Sequence, residues 1–308
     1  MKINAIYRKC KYCRQQGVAI IMVLLIVAMA TSLAAYMALQ QNLWQRQVES
    51  QFERGQARQL GIAGIDWARA VLAEDARGNN IDYEKEIWNL RLPAIPVENG
   101  EVIGAIEDRQ GLFNLNNVVN NVAQFQRLLA VLGLSADLAP ALVDWIDADN
   151  VVQAGGAEDA YYLAMPRSYR AANRGLVELG ELTKVRGFDS RTIESLRAFV
   201  SVLPATGTPV NVNFAPAEVL VAVIQGLSLS DARLLVQQRK TQPFKDATDF
   251  KQHLPQGGGI TVVDNDISAK SDYFWVTGRA TVGQAQVVTQ ALLQRAGNWP
   301  TVVWQSVQ

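Results

Sequence analysis

The sequence predicts an α+β protein: a long N-terminal helix, an antiparallel sheet made from two separated pieces of chain, and a large helical domain inserted between them. Three observations carry this. A run of 22 uncharged residues, Val18 to Leu39, continues into a polar segment with no proline before residue 80. Hairpin signals end alternating runs near residue 100 and near residue 283. Between them, residues 113–265 read as short helices with an internal repeat. Composition sets the outer limits. The chain has 308 residues, 49% of them hydrophobic, enough for two average domains and a sizeable core. Its net charge of zero argues against a dedicated nucleic-acid binder. A single histidine, His253, excludes multi-His metal sites and leaves little room for a Ser-His-Asp triad.

Residues 1–17 carry Lys2, Arg8, Lys9, Lys11 and Arg14 and no acid. Cys10 and Cys13, the only cysteines, also lie here, so no disulfide framework holds the rest. Their spacing is that of a redox motif, but no βαβ pattern surrounds it. Residues 18–39, at about 1.5 Å per residue, span the roughly 30 Å of a bilayer core. The positive-inside rule puts residues 1–17 in the cytoplasm and the bulk of the chain across the membrane. Gly17 stands between basic leader and apolar run. This resembles the type IV prepilin class, in which a membrane-bound prepilin peptidase cuts after the Gly and methylates the new N-terminus. Carried over, the cut lies between Gly17 and Val18. It would remove five of the 29 basic residues and leave all 29 acidic ones, a cysteine-free and mildly acidic body suited to the periplasm.

In residues 40–80, Phe52, Leu60, Ala63, Trp67 and Val71 recur near the helical period. Span and amphipathic segment therefore read as one helix of roughly 55 residues. Gly55, Gly61 and Gly64 each cost about 1 kcal/mol against Ala and mark bends or close packing. Residues 81–112 hold the first piece of sheet. There Asn99-Gly100, a type I′ signal, joins two β-runs.

The domain at 113–265 contains a repeat. Phe113-Asn114-Leu115-Asn116 and Val210-Asn211-Val212-Asn213 each precede a helix, a Gly-Leu-Ser turn and a second helix. The second unit resembles helix-hairpin-helix/SAM-like modules of DNA-repair and competence proteins. That supplies an alternative function: a membrane-anchored periplasmic DNA-binding protein of a competence or pilus system. Such hairpins carry Gly-h-Gly, whereas Ser135 and Ser228 stand in the third position here. Val210 to Leu254 holds five basic and four acidic residues, which offers little counterion release. No nucleic-acid partner is expected. Between the units, the stretch around Arg186-Gly187-Phe188 reads as another helix pair.

Asp144, Asp147, Asp149, Glu158 and Asp159 concentrate on one loop with Gly155-Gly156. Hard oxygen donors on a flexible loop are what Ca²⁺ requires. Acids at a helix C-terminus also oppose its dipole, a cost that a cation offsets. A solvated acidic loop is the plainer alternative. Catalytic carboxylates are a third, without a legible sugar-stacking groove. Trp145, Tyr161 and Tyr162 read as packing residues. Residues 266–308 return as a β-hairpin about Val282-Gly283-Gln284, followed by a tail.

Taken in order, the prepilin-type start, GLFNLN, ALVDWIDAD, GAEDAYY, PRSYRAANRGLVELGEL, VRGF, VNVNFAPAEVL and the later PF and DF pairs resemble the K-type minor pseudopilins of the type II secretion system, the general secretion pathway protein K family. The resemblance implies a non-enzymatic pseudopilin with Ca²⁺ bound, anchored by one span in a Gram-negative inner membrane, its C-terminal domain in the periplasm. It implies a place at the pseudopilus tip beside I- and J-type minor pseudopilins, initiating assembly for export of folded proteins. Further partners implied are the major pseudopilin, the prepilin peptidase, the inner-membrane secretion platform, and secreted substrates or the secretin. Most pilins carry Glu as the fifth mature residue, and here it is Met22. That carboxylate is held to neutralise the N-terminal amine of the subunit already in place. An unpaired charge in lipid costs at least a few kcal/mol. A subunit without it enters first at no penalty, and K-type members share the feature.

Overall fold

The computed structural model describes residues 16–90, 94–256 and 259–308. Residues 1–15 of the leader, with its basic side chains and both cysteines, lie outside the described residues. A single unbroken helix, α1, runs Gln16–Gly78, 63 residues. Its N-terminal half is uncovered by protein, with 18 residues of mean hydropathy 2.7, long and apolar enough to cross a membrane. Gly17, Val18 and Met22 all lie on this bare stretch.

The face of α1 that meets the sheet corrects the expectation. Phe52 and Trp67 are exposed, and burial instead follows Ala57, Gly61, Ile65, Ala68 and Leu72. Large side chains misled the pattern, because the true stripe is partly Ala and Gly. Gly61 shows why: a Cβ there would collide with Thr289 of the sheet. Small residues let helix and sheet backbones approach, which supplies the close-packing role expected of a glycine in α1.

After α1 come β1 (Ile95–Val97) and β2 (Gly100–Asp108), paired antiparallel with Val97 opposite Gly100. The turn is therefore Glu98-Asn99, not Asn99-Gly100. Only Asn99 has positive φ, at 60°, so it is not the type I′ turn the sequence suggested. Gly100 serves instead as a strand residue whose Cβ would collide with the Thr281 carbonyl.

The helical region follows: β3 (Phe113–Asn114), α2 (Val122–Val131), α3 (Leu138–Ile146), α4 (Asp159–Leu163), α5 (Ser190–Leu196), β4 (Val200–Ser201), β5 (Val210–Asn211), α6 (Ala217–Val223), α7 (Leu229–Thr241), α8 (Ala247–Gln252) and β6 (Ile267–Ser268). The expected helix pair around Arg186 is a 3₁₀ turn, Leu179–Lys184, followed by α5. One buried cluster, Phe113 to Ile267, unifies the region, with α2 packed on α6.

The repeat has a structural counterpart that sequence alone did not show. Each unit opens with a two-residue parallel pairing, β3 with β4 and β5 with β6. Each first asparagine caps its own turn, Asn114 Oδ1 accepting from Asn116 N and Asn211 Oδ1 from Asn213 N. Each second asparagine clamps a distant loop. Asn116 accepts from Leu176 N and donates to Leu176 O, and Asn213 does the same with Phe244.

The chain then returns through β7 (Tyr273–Val282), β8 (Ala285–Gln294) and β9 (Thr301–Val307). The five-stranded sheet has the order β1-β2-β7-β8-β9, all antiparallel. The expected C-terminal tail is thus its last strand. Phe274, Val276, Ala291 and Leu293 meet Ile65, Ala68 and Leu72 of α1.

Candidate functional site: two carboxylate clusters

Helix α3 is buried on all sides, which carries Asp144 into the core and leaves Asp147 as its C-terminal cap. Asp147 turns extended, at φ −67° and ψ 167°, so the chain leaves the helix there. The loop returns at Glu158, also extended, immediately before α4. Carboxylate oxygens of Asp147, Asp149 and Glu158 all lie within 4.8 Å of one another. Glu158 is 1% exposed, yet both its oxygens, and Oδ1 of Asp147, find no donor among the described residues.

Asp144 stands behind this group, fully buried, accepting from Gln153 N at 3.2 Å. Gly156 lies so close that a Cβ would strike the Asp144 carboxylate, which explains a glycine there. Asp149 accepts from Val151 N at 2.8 Å. Asp159 turns away, its carboxylate accepting from Ala171 N at 3.0 Å and from Arg170 at 3.2 Å. The structure therefore joins three of the five acids, sets a fourth behind them, and gives the fifth a cationic partner. Trp145 and Tyr162 are buried packing residues, edge to face at 5.1 Å.

Electrostatics follow from this crowding. Burial, with Asp144, Asp147, Asp149 and Asp159 nearby, pushes the Glu158 carboxyl up to about 7. Burial raises Asp144 and Asp147 too, and the charge of Asp149 adds to both. Among the described residues no Lys or Arg pairs with Asp144, Asp147, Asp149 or Glu158; the only ion pair on the loop is Arg170 with Asp159. Buried acceptors without donors are costly, and either a proton or a cation relieves them. Hard oxygens from two arms of a glycine-containing loop fit a Ca²⁺-like ion.

Sequence reading missed a second cluster. Asp75, Asp82 and Glu86 also bring oxygens within 4.8 Å of one another, where α1 and the chain after it meet the sheet and the helical region. Here a counter-charge is built in. Arg295, 4% exposed, donates to Asp75 at 2.9 Å, to Asp82, and to the Ser271 carbonyl at 2.8 Å. Glu86 accepts from Trp88 Nε1 at 2.6 Å and Asn79 at 2.8 Å. Burial pushes Glu86 up to about 7. Asp108, only partly buried as a residue, points its carboxyl inward to accept from Gly111 N, and burial pushes it up to about 7. No sequence signal pairs Arg295 with acids more than 200 positions earlier.

Comparison with known proteins identifies the architecture. Two family models described as type II secretion system protein K match residues 111–205 and 210–270, one on each repeat unit. The type II secretion system protein K of Pseudomonas aeruginosa is 35% identical over 91% of this chain and 89% of its own length. The Pectobacterium carotovorum protein is 32% identical over 94% and 95%. The crystal structure of the GspK-GspI-GspJ complex from enterotoxigenic Escherichia coli contains a chain that superposes with a TM-score of 0.75. That chain is 25% identical, and the match covers 85% of this chain and 99% of that one. From its long N-terminal helix to its paired asparagine-clamped units, the chain belongs to the type II secretion system protein K family.

Proposed function

We propose that this minor pseudopilin sits at the tip of the type II pseudopilus with I- and J-type partners and helps to initiate its assembly. The observation that carries this is the likeness, over nearly the whole length, to the K chain of a K-I-J complex. In this reading the apolar half of α1 lies in the inner membrane and the rest of the chain in the periplasm. The prepilin peptidase removes residues 1–17 between Gly17 and Val18 and methylates Val18. Met22, carrying no carboxylate, suits a subunit that enters first. The insert, two helix-hairpin-helix-like units, covers the end of the sheet where another subunit would otherwise stack. Asp147, Asp149 and Glu158 would hold one Ca²⁺, with Asp144 fixing the loop behind them and Asp159 outside the ligand set. The ion would supply the positive charge that the loop lacks and tie its two arms together. Expression of the full chain with the I- and J-type pseudopilins of the same cell tests the placement. A ternary complex that co-purifies in detergent, with a mature chain starting at methylated Val18, is expected. K-type subunits cross-linked along the shaft would overturn it.

A further inference from the structure

The segment Val185-Arg186-Gly187-Phe188 lies outside the acid loop, yet one of its side chains reaches it. Val185 and Phe188 are buried in the helical core and anchor the segment. Its backbone is tied on both sides: Arg186 N donates to the Tyr162 hydroxyl at 3.2 Å, and the Tyr169 hydroxyl donates to Lys184 O at 2.8 Å. From this anchored backbone the Arg186 guanidinium donates to Gly156 O at 2.7 Å. The same guanidinium lies over the Tyr161 ring, 5.1 Å from its centroid. Gly156 is two residues before Glu158 and Tyr161 three residues after it. Arg186 thus holds the Gly156 carbonyl before, and the Tyr161 ring after, the buried acid whose two oxygens find no donor among the described residues.

We propose that Arg186 is a positioning residue of the cation site: it fixes the loop so that Glu158 meets Asp147 and Asp149 around the ion. This rests on reading the loop as a Ca²⁺ site. The guanidinium suits the task because a planar fork can hydrogen-bond a carbonyl along one edge while stacking a face on an aromatic ring. A lysine ammonium has no planar face to stack and no fixed fork, so it holds that pair of contacts less firmly. Coulomb's law alone gives the opposite expectation, since removing a positive charge near a cation site should tighten binding.

That opposition in sign is the test. The full chain in detergent, with its Ca²⁺ removed by chelation and the chelator then dialysed away, is titrated with Ca²⁺ by calorimetry as wild type, Arg186→Lys and Arg186→Ala. Melting in EDTA is followed in parallel. Loss of a supporting contact around a metal site typically weakens binding about 10–100-fold. Arg186→Ala is expected to weaken Ca²⁺ binding in that range, and Arg186→Lys to recover part of it, with EDTA melting unchanged in both. Wild-type or tighter affinity in Arg186→Ala would overturn the proposal while leaving the Ca²⁺ reading intact. An EDTA melting point that falls in step with affinity, with no recovery by Lys, would reduce Arg186 to a general fold contact and also overturn it. No binding by the wild type would overturn the Ca²⁺ reading, and this inference with it.

Discussion

The acid loop and the sheet junction hold two carboxylate clusters of the same size and closeness, and they differ in one respect. At the junction a buried guanidinium, Arg295, lies between Asp75 and Asp82, and Glu86 has two side-chain donors. At the loop, Asp147, Asp149 and Glu158 have no cationic partner among the described residues, and three of their buried oxygens have no donor. Proximity of acids is therefore a poor guide to a metal site. What distinguishes the two is whether the fold supplies the counter-charge itself. The junction holds a cation of its own, although Asp82 Oδ1, Asp108 Oδ2 and Arg295 Nε find no partner among the described residues. The loop's three acids have no such cation among the described residues, and in the proposed reading an ion bound from outside supplies it.

The largest effect should come from breaking the cluster that holds its own cation. Arg295→Met keeps much of the volume but leaves Asp82 and Asp75 buried without their cation, a loss of about 3–5 kcal/mol. Melting should fall to the same extent in calcium and in EDTA, because the defect is internal. A fall confined to EDTA would mean that calcium reaches the junction.

The next effect belongs to the loop. At a hundredfold excess over Kd, calcium should stabilise by about 2.7 kcal/mol, and Glu158→Gln should remove that increment. The increment should also depend on pH. Glu158 in the calcium-free protein titrates near 7, above its ordinary 4.5. Its raised value means that stability is full below about 4.5 and is lost as pH rises through 7. Calcium should reverse that loss by binding the ionised form. The calcium-induced rise in Tm should thus be largest at pH 8 and vanish near pH 5.

A smaller effect distinguishes the junction's own titration. Asp108 is raised to about 7 from 3.8, so its contribution too is full below about 4 and is lost through 7. Asp108→Asn keeps an acceptor for Gly111 N and removes the charge. It should stabilise by on the order of 2 kcal/mol at pH 8 and do little at pH 4, with or without calcium. A calcium-dependent gain would blur the distinction between the clusters. Smallest of all is Asp159→Asn. Its partner Arg170 is largely exposed, and pairs open to solvent contribute about 0–1 kcal/mol. Calcium affinity should stay as in the wild type, and a tenfold loss would return Asp159 to the ligand set.

The sequence carried the coarse plan because the plan is written in period and punctuation. The uncharged run, the turns near 99 and 283, and the doubled Asn-h-Asn each imply a local structure. The four short parallel strands were illegible, since two residues have no period. β9 was illegible because its alternation is broken, and its register slips against β8 at Leu292/Leu293. The helix face was misread because Ala57 and Gly61 do not look like a core. At the site, the five acids were legible as composition, but their partners were not. Arg170 beside Asp159, Arg186 on Gly156 and Arg295 on Asp82 are all contacts made by tertiary folding.

Region-resolved hydrogen exchange on the detergent-solubilised full chain, in calcium and in EDTA at pH 8, puts both clusters in one measurement. Calcium is expected to increase protection across residues 147–162 and to leave residues 75–86 unchanged. Equal protection of both segments, protection confined to 75–86, or no change at either would contradict the claim that the loop alone takes its counter-charge from outside the chain.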